Sequence, residues 1–94
     1  MYWLRMSKPR TSPLGTRNIV GAKVEQVRRM KGLKQHELMA MLQSEGMEVS
    51  ESGISRLEGC TRAVQDYELP MLCTVLGVSV NWLLGMEGID NTEP

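Results

Sequence analysis

Apolar residues recur at intervals of three and four positions in five short segments of this chain. Such spacing places them on one face of an α-helix, whereas a half-buried β-strand needs strict alternation. No stretch of the chain alternates in that way, so the sequence predicts an all-α fold. The predicted helices span about 19–31, 35–45, 51–58, 66–76 and 81–85.

The connection between the second and third predicted helices restricts the architecture further. Gly46 is expected to end helix 35–45, and Ser50 is a favourable N-cap for helix 51–58. The connector is then the four residues GMEV, a length typical of a helix-turn-helix. The third helix also has a glycine, Gly53, in its first turn, which predicts that the helix end approaches another surface closely.

The composition suits one small domain with an aliphatic core. Of the 94 residues, 41% are apolar and none is Phe, so Leu, Val, Ile and Met must fill the interior. A core of this size is marginal, which favours tight helix packing or a dimer. The residues predicted to share the core are Leu38, Leu42, Ile54, Leu57, Leu69, Leu72, Leu76 and Leu83.

Charge is distributed unevenly along the chain, although the net charge is zero. Residues 1–34 carry nine Lys/Arg against one acidic residue, and residues 35–94 carry two Lys/Arg against ten acidic residues. The basic half favours a polyanionic partner. The alternative is that the two halves intermix in space once the chain has folded.

The pattern of residues divides the chain into three parts. Residues 1–18 contain Pro9 and Pro13 without helical spacing, and they are expected to form a basic, mostly disordered arm. Residues 19–85 form the predicted domain. Residues 86–94 are expected to be an acidic, flexible tail.

Several functional classes find no support in the sequence. No apolar run approaches the roughly 20 residues of a membrane span, and the N-terminus lacks the apolar centre of a signal peptide. Cys60 and Cys73 form no CxxC motif, which indicates reduced thiols and a cytoplasmic chain. His36 is the only histidine, and no nucleophile has a base beside it. No metal, cofactor or catalytic residue is therefore predicted.

Three stretches together resemble the phage-repressor (Xre/Cro-type) helix-turn-helix family: VEQVRRMKGLKQHEL, VSESGISRLEG and LPMLCTVLGVSVNWLLG. They lie within residues 19–85, most of the chain, and their combination is highly specific. The resemblance implies a five-helix, lambda-repressor-like domain. It also implies a sequence-specific, DNA-binding transcriptional regulator, most simply a repressor.

The chain departs from the family pattern in four places. Lys34 stands where the family often has Thr, Met39 where it often has Ala, and Val64 where many members have Pro. The segment after Leu42 is also about one helical turn longer than the commonest form. We interpret this extra length as an extension of the second helix.

The resemblance implies that helix 51–58 enters the major groove of DNA with its N-terminal end first. Arg56 would then suit a bidentate bond to guanine, and Glu51 would accept a hydrogen bond from a cytosine amine. Gly53 would leave room beside the sugar-phosphate backbone; the alternative is that Gly53 faces solvent or a tight helix contact. The predicted base-reading residues are Glu51, Ser52 and Arg56.

The resemblance also implies phosphate contacts around this helix. Gln35 corresponds to a glutamine with which the family holds a phosphate at the start of the second helix. Arg62 lies in the loop that often grips the opposite side of the groove. The predicted phosphate-binding residues are Lys34, Gln35, Ser50, Ser55 and Arg62. The alternative for each is an ordinary solvated surface side chain.

Arg28 and Glu58 occupy the positions of an internal ion pair in this family, predicted to join the first helix to the end of the third. The family further implies a homodimer on double-stranded DNA. Candidate dimer contacts are Trp82, Leu84 and Ile89, or else Tyr2 to Leu4. The apolar stretches YWL and WLLGMEGI support another class of function, a protein-interaction or antitoxin-like module that keeps the fold.

Overall fold

The computed structural model of this chain describes residues 13–86. Its elements are α1 (Gly21–Met30), α2 (Gln35–Ser44), α3 (Glu51–Glu58), a 3-10 helix (Asp66–Glu68), α4 (Leu69–Leu76) and α5 (Val80–Leu83). No strand occurs among the described residues, so the all-α prediction is confirmed for this part of the chain. α3 packs against α1 and α2, α4 packs against the same two helices, and α5 packs against α4.

The apolar helix faces meet in one aliphatic core. Seven of the eight predicted core residues are buried, and Leu69 is the exception. Leu69 is half-buried and lines a surface groove with Val64 and Leu84. The core also contains buried residues outside the predicted set, namely Val20, Val24, Val27, Met47 and Val49.

The connector between α2 and α3 is anchored to this core. Gly46, with a φ of 99°, adopts the left-handed conformation that ends α2. The Met47 N–H then donates to the Leu42 carbonyl at 3.0 Å, which turns Met47 back toward the core. Because Met47 and Val49 are buried, the connector holds α3 through its own apolar side chains.

Local chemistry moves two helix starts away from their predicted positions. α1 begins at Gly21, because Asn18 Oδ1 accepts hydrogen bonds from the N–H groups of Val20 and Gly21 at 2.9 and 2.8 Å. The predicted helix 66–76 is divided into a 3-10 turn and α4, so Pro70 lies in the first turn of α4. Proline lacks an N–H and is tolerated in a first turn but not in a helix interior.

α1 crosses the C-terminal end of α3 at short range. A Cβ at Gly21 would collide with the carbonyl oxygen of Leu57, so glycine is required at this contact. Cys60 follows α3 with a φ of 63° and is buried in the same place. The first helix therefore lies directly on the end of α3.

Within the predicted arm, Gly15, Arg17 and Asn18 are hydrogen-bonded to the end of α3 and to the loop after it. The N–H groups of Gly15 and Arg17 donate to the carbonyls of Gly59 and Cys60, each at 2.8 Å. Residues 1–12 and 87–94 lie outside the described residues. The candidate dimer residues Tyr2 to Leu4 and Ile89 fall there too.

None of the helices between residues 13 and 86 combines the length and the apolarity that a membrane crossing needs. Over the same residues, no three His, Cys, Asp or Glu side chains are grouped so that they could hold a metal ion. Cys60 and Cys73 are free thiols.

Candidate nucleic-acid interface

α3 has one buried side and one exposed side. Ile54, Leu57 and Glu58 face the interior. The exposed side carries Glu51, Ser52, Ser55 and Arg56. These positions are i, i+1, i+4 and i+5, which lie on one face at about 3.6 residues per turn. All three predicted base-reading residues are therefore on a common accessible surface.

The exposed N-terminal end of α3 is capped by Ser50. Its Oγ accepts a hydrogen bond from the Gly53 N–H at 3.0 Å and lies 3.1 Å from the Ser52 hydroxyl. The remaining N–H groups of the first turn give this end a partial positive charge. A hydrogen-bond acceptor carrying negative charge would be favoured there.

Gly53 serves a contact within the domain. It is buried, and a Cβ at this position would lie 3.0 Å from Val49 Cγ2 and 3.3 Å from Ser50 Oγ. A larger residue would press on the connector and on the N-cap. Gly53 therefore does not face solvent, and the structure favours the tight internal contact over clearance for DNA.

Glu58, at the end of α3, lies at the centre of a buried polar network. Arg28 of α1 donates to it through Nε at 2.6 Å and through Nη2 at 3.0 Å. The two side chains are only 6% and 1% exposed. Arg28 also donates from Nη1 to the Leu33 carbonyl at 2.8 Å. The predicted contact is thus present. Arg28 connects three parts of the domain: α1, α3 and the turn that follows α1.

Gln35 belongs to this network, which the sequence did not indicate. Its Nε2 donates to Glu58 Oε1 at 3.0 Å, so the side chain predicted to hold a phosphate instead bonds inside the protein. Glu58 attracts it because a buried carboxylate needs several donors to replace its lost hydration. Gln35 thereby joins the start of α2 to the end of α3.

Arg62, which was predicted to bind phosphate, has an internal partner in this structure. Its guanidinium makes a bidentate pair with Glu68, with Nη1 to Oε1 and Nη2 to Oε2 both at 3.0 Å. The Glu68 side chain is 4% exposed, and its Oε1 also accepts the Gln65 N–H at 3.0 Å. Moving Arg62 to a phosphate would leave this buried carboxylate without its charged partner.

This pair predicts a pH-dependent contribution to stability. Burial raises the pKa of Glu68, but hydrogen bonds from Arg62 and Gln65 and the charge of Arg62 outweigh it, so the pKa lies below its ordinary value of 4.5. A lowered folded pKa means stability that is present above about pH 4.5 and is lost as pH falls through the folded value. Arg62→Gln should therefore cost about 1–3 kcal/mol at pH 7, because a buried acceptor is left without its partner.

Urea unfolding of wild type and Arg62→Gln between pH 7 and pH 3 measures this effect. The difference in unfolding free energy should shrink as the pH falls below about 4.5, because protonation of Glu68 removes the charge that Arg62 pairs with. Arg29→Gln is a suitable control, because its pair with Glu25 is a partly exposed i, i+4 contact on α1 and such pairs contribute only about 0.3–0.5 kcal/mol. A difference for Arg62→Gln that stays constant with pH would contradict the assignment.

Two of the predicted contact residues are exposed cations. Lys34 and Arg56 are exposed, and their side chains form no ion pair with residues 13–86. The Lys34 backbone N–H donates to Glu37 Oε1 at 2.8 Å, so Glu37 helps cap the start of α2 although Lys34 is itself a poor cap. The Lys34 ammonium is then free for another partner.

Fold and surface together define an all-α domain that presents one short helix with a polar, accessible face. A scan against protein-family models finds no match to this chain. A search of curated proteins likewise finds no relative.

Proposed function

We propose that this chain is a cytoplasmic, sequence-specific DNA-binding regulator of the phage-repressor (Xre/Cro) type, with a lambda-repressor-like helix-turn-helix. The observation that carries the proposal is the two-sided construction of α3. Its exposed face is polar, and its other face is fixed by Ile54 and Leu57 and by the bonds to Glu58. A helix that is fixed in place and carries exposed polar side chains is what base readout requires, since misplaced donors lose their specificity.

The chemistry of the exposed face suits the edges of base pairs in the major groove. The Arg56 guanidinium can donate two parallel hydrogen bonds to O6 and N7 of guanine, and Glu51 can accept from a cytosine amine. Ser52 can donate or accept. Lys34, Ser50 and Ser55 are the remaining exposed candidates for phosphates, which would position the helix without reading sequence.

A helix of eight residues contacts only a few base pairs, so we propose a homodimer on two half-sites about 34 Å apart. Around α5, Val80 and Met86 are exposed and Leu84 is half-buried. The predicted contact residue Trp82 is half-buried, and the Lys23 ammonium lies 4.7 Å from the centroid of its ring. We propose that Val80 and Met86 contribute to the dimer contact beside Trp82 and Leu84.

Selection of bound sequences from random duplex DNA, followed by a salt titration, tests the function. We expect an enriched site. On both this site and random duplex, the logarithm of the binding constant should fall linearly with the logarithm of the salt concentration. Absence of both site preference and salt dependence would overturn the DNA-binding proposal.

A protein-interaction or antitoxin-like module is the second candidate, favoured by the zero net charge of the chain and by the internal pairing of Arg62. In that case α3 would present its polar face to another protein. The same titration separates the two, because a docking module shows no affinity for duplex DNA.

A further inference from the structure

The segment before α1 is held against the C-terminal end of α3. Asn18 Nδ2 donates to the carbonyls of Leu57 and Arg62 at 3.1 and 2.7 Å, while its Oδ1 caps α1. The backbone bonds from Gly15 and Arg17 reach the next two carbonyls after α3. This segment is therefore fixed to the loop that follows α3.

Glycine at position 15 is necessary for this attachment. A Cβ there would lie 2.6 Å from the Cys60 carbonyl oxygen and 2.8 Å from Thr61 Cγ2. Real Cβ atoms do not approach backbone that closely, so a side chain at this position would displace the segment. Gly15 thus determines how near Arg17 lies to α3.

Arg17 is an exposed cation on this fixed segment. Its backbone N–H bonds to Cys60, but its guanidinium makes no hydrogen bond or ion pair with the described residues. At the same loop, the other cation, Arg62, is bonded to Glu68. Of these two cations at the loop, Arg17 is therefore the one whose guanidinium has no partner among residues 13–86.

We propose that Arg17 supplies the phosphate contact beside the C-terminal end of α3. This contact presupposes the DNA-binding function proposed above. The Thr61 N–H donates to the Arg56 carbonyl at 2.9 Å, so the loop that holds Arg17 folds back next to the last exposed residue of α3. With α3 in the major groove, the sugar-phosphate backbone borders the helix on both sides. The Arg17 backbone is anchored there, so its unbonded guanidinium is placed to reach phosphate oxygens, for which its planar donors are well suited.

A salt titration of Arg17→Ala on the selected DNA site measures the contact. Loss of one phosphate contact should reduce the steepness of log affinity against log salt by about 0.9. If wild type and variant bind equally at 1 M salt, the variant then binds about eightfold more weakly than wild type at 0.1 M salt. Arg17→Lys should restore most of the slope. Lys31→Ala is the matched control, since Lys31 is an exposed cation near Gly77 at the end of α4.

Gly15→Ala tests the anchoring with every cation retained. It should lower the salt slope as Arg17→Ala does, and the double variant should add little. An unchanged slope in Arg17→Ala, while wild type binds its site, overturns the Arg17 contact and leaves the proposed function intact. Equal losses for Arg17→Ala and Lys31→Ala would also overturn it, because net charge alone would then explain both. Absence of DNA binding by wild type overturns both proposals.

Discussion

Glu58→Gln is expected to destabilise the fold by roughly 3–5 kcal/mol, the cost of stranding one partner of a buried ion pair. The substitution keeps the side-chain shape, so no cavity is created. Arg28 would remain 6% exposed in its side chain, with a neutral amide where it had a carboxylate. Total stabilities of small domains are about 5–15 kcal/mol, so the denaturant midpoint should fall by a large fraction.

Chemical unfolding followed by circular dichroism provides the measurement. The control is Glu25→Gln. Glu25 pairs with Arg29 within α1, and this pair is partly exposed, so its loss should cost less than about 1 kcal/mol. If Glu58→Gln does not fold, the double variant Arg28→Met with Glu58→Leu supplies the test, since removing both charges should recover much of the stability. A wild-type midpoint for Glu58→Gln would contradict a stabilising role of the pair.

Arg56→Ala is expected to weaken binding to the selected DNA site by roughly 1–3 kcal/mol and to relax preference at one base position. Binding to random duplex should change much less. Arg56 is exposed and forms no ion pair within residues 13–86, so its replacement should leave the unfolding free energy within about 0.5 kcal/mol of wild type. Lost affinity would then report on binding and not on folding.

Arg56→Lys distinguishes base reading from charge. Lysine keeps the positive charge but lacks the planar pair of donors that matches guanine, so it should restore binding to random duplex and not the base preference. Competition between the selected site and single-base variants of it measures that preference. Equal weakening on the selected site and on random duplex by Arg56→Ala would show a phosphate contact and would refute the base-reading role.

Much of the fold could be predicted from the sequence because helix formation depends on neighbours three and four positions apart. That spacing located all five helices over the described residues, and it correctly placed Leu38, Leu42 and Ile54 in the core. Ser50 was predictable as a cap for the same reason, since its partner Gly53 is three residues away. The exposed face of α3 follows from helix geometry alone.

Hydrogen-bond partners that are far apart in the sequence could not be predicted from the spacing of residues along the chain. Asn18 is 44 residues from Arg62 and Gln35 is 23 residues from Glu58, and only the crossing of the helices brings them together. An asparagine just before a helix signals a cap, but nothing local signals that its amide nitrogen also holds the end of α3. The resemblance to a known family had indicated the Arg28–Glu58 contact, yet not that Gln35 completes it.

The sequence by itself thus determined where helices form, which faces are apolar and which side chains of α3 stay exposed. Only the tertiary structure decided which polar groups are free. Arg62 is bonded to Glu68 and Gln35 to Glu58, while Arg17, expected in a disordered arm, is fixed beside α3. The physical reason is desolvation: folding buries Glu58 and Glu68, and each buried carboxylate must draw donors from whichever residues the packing brings near.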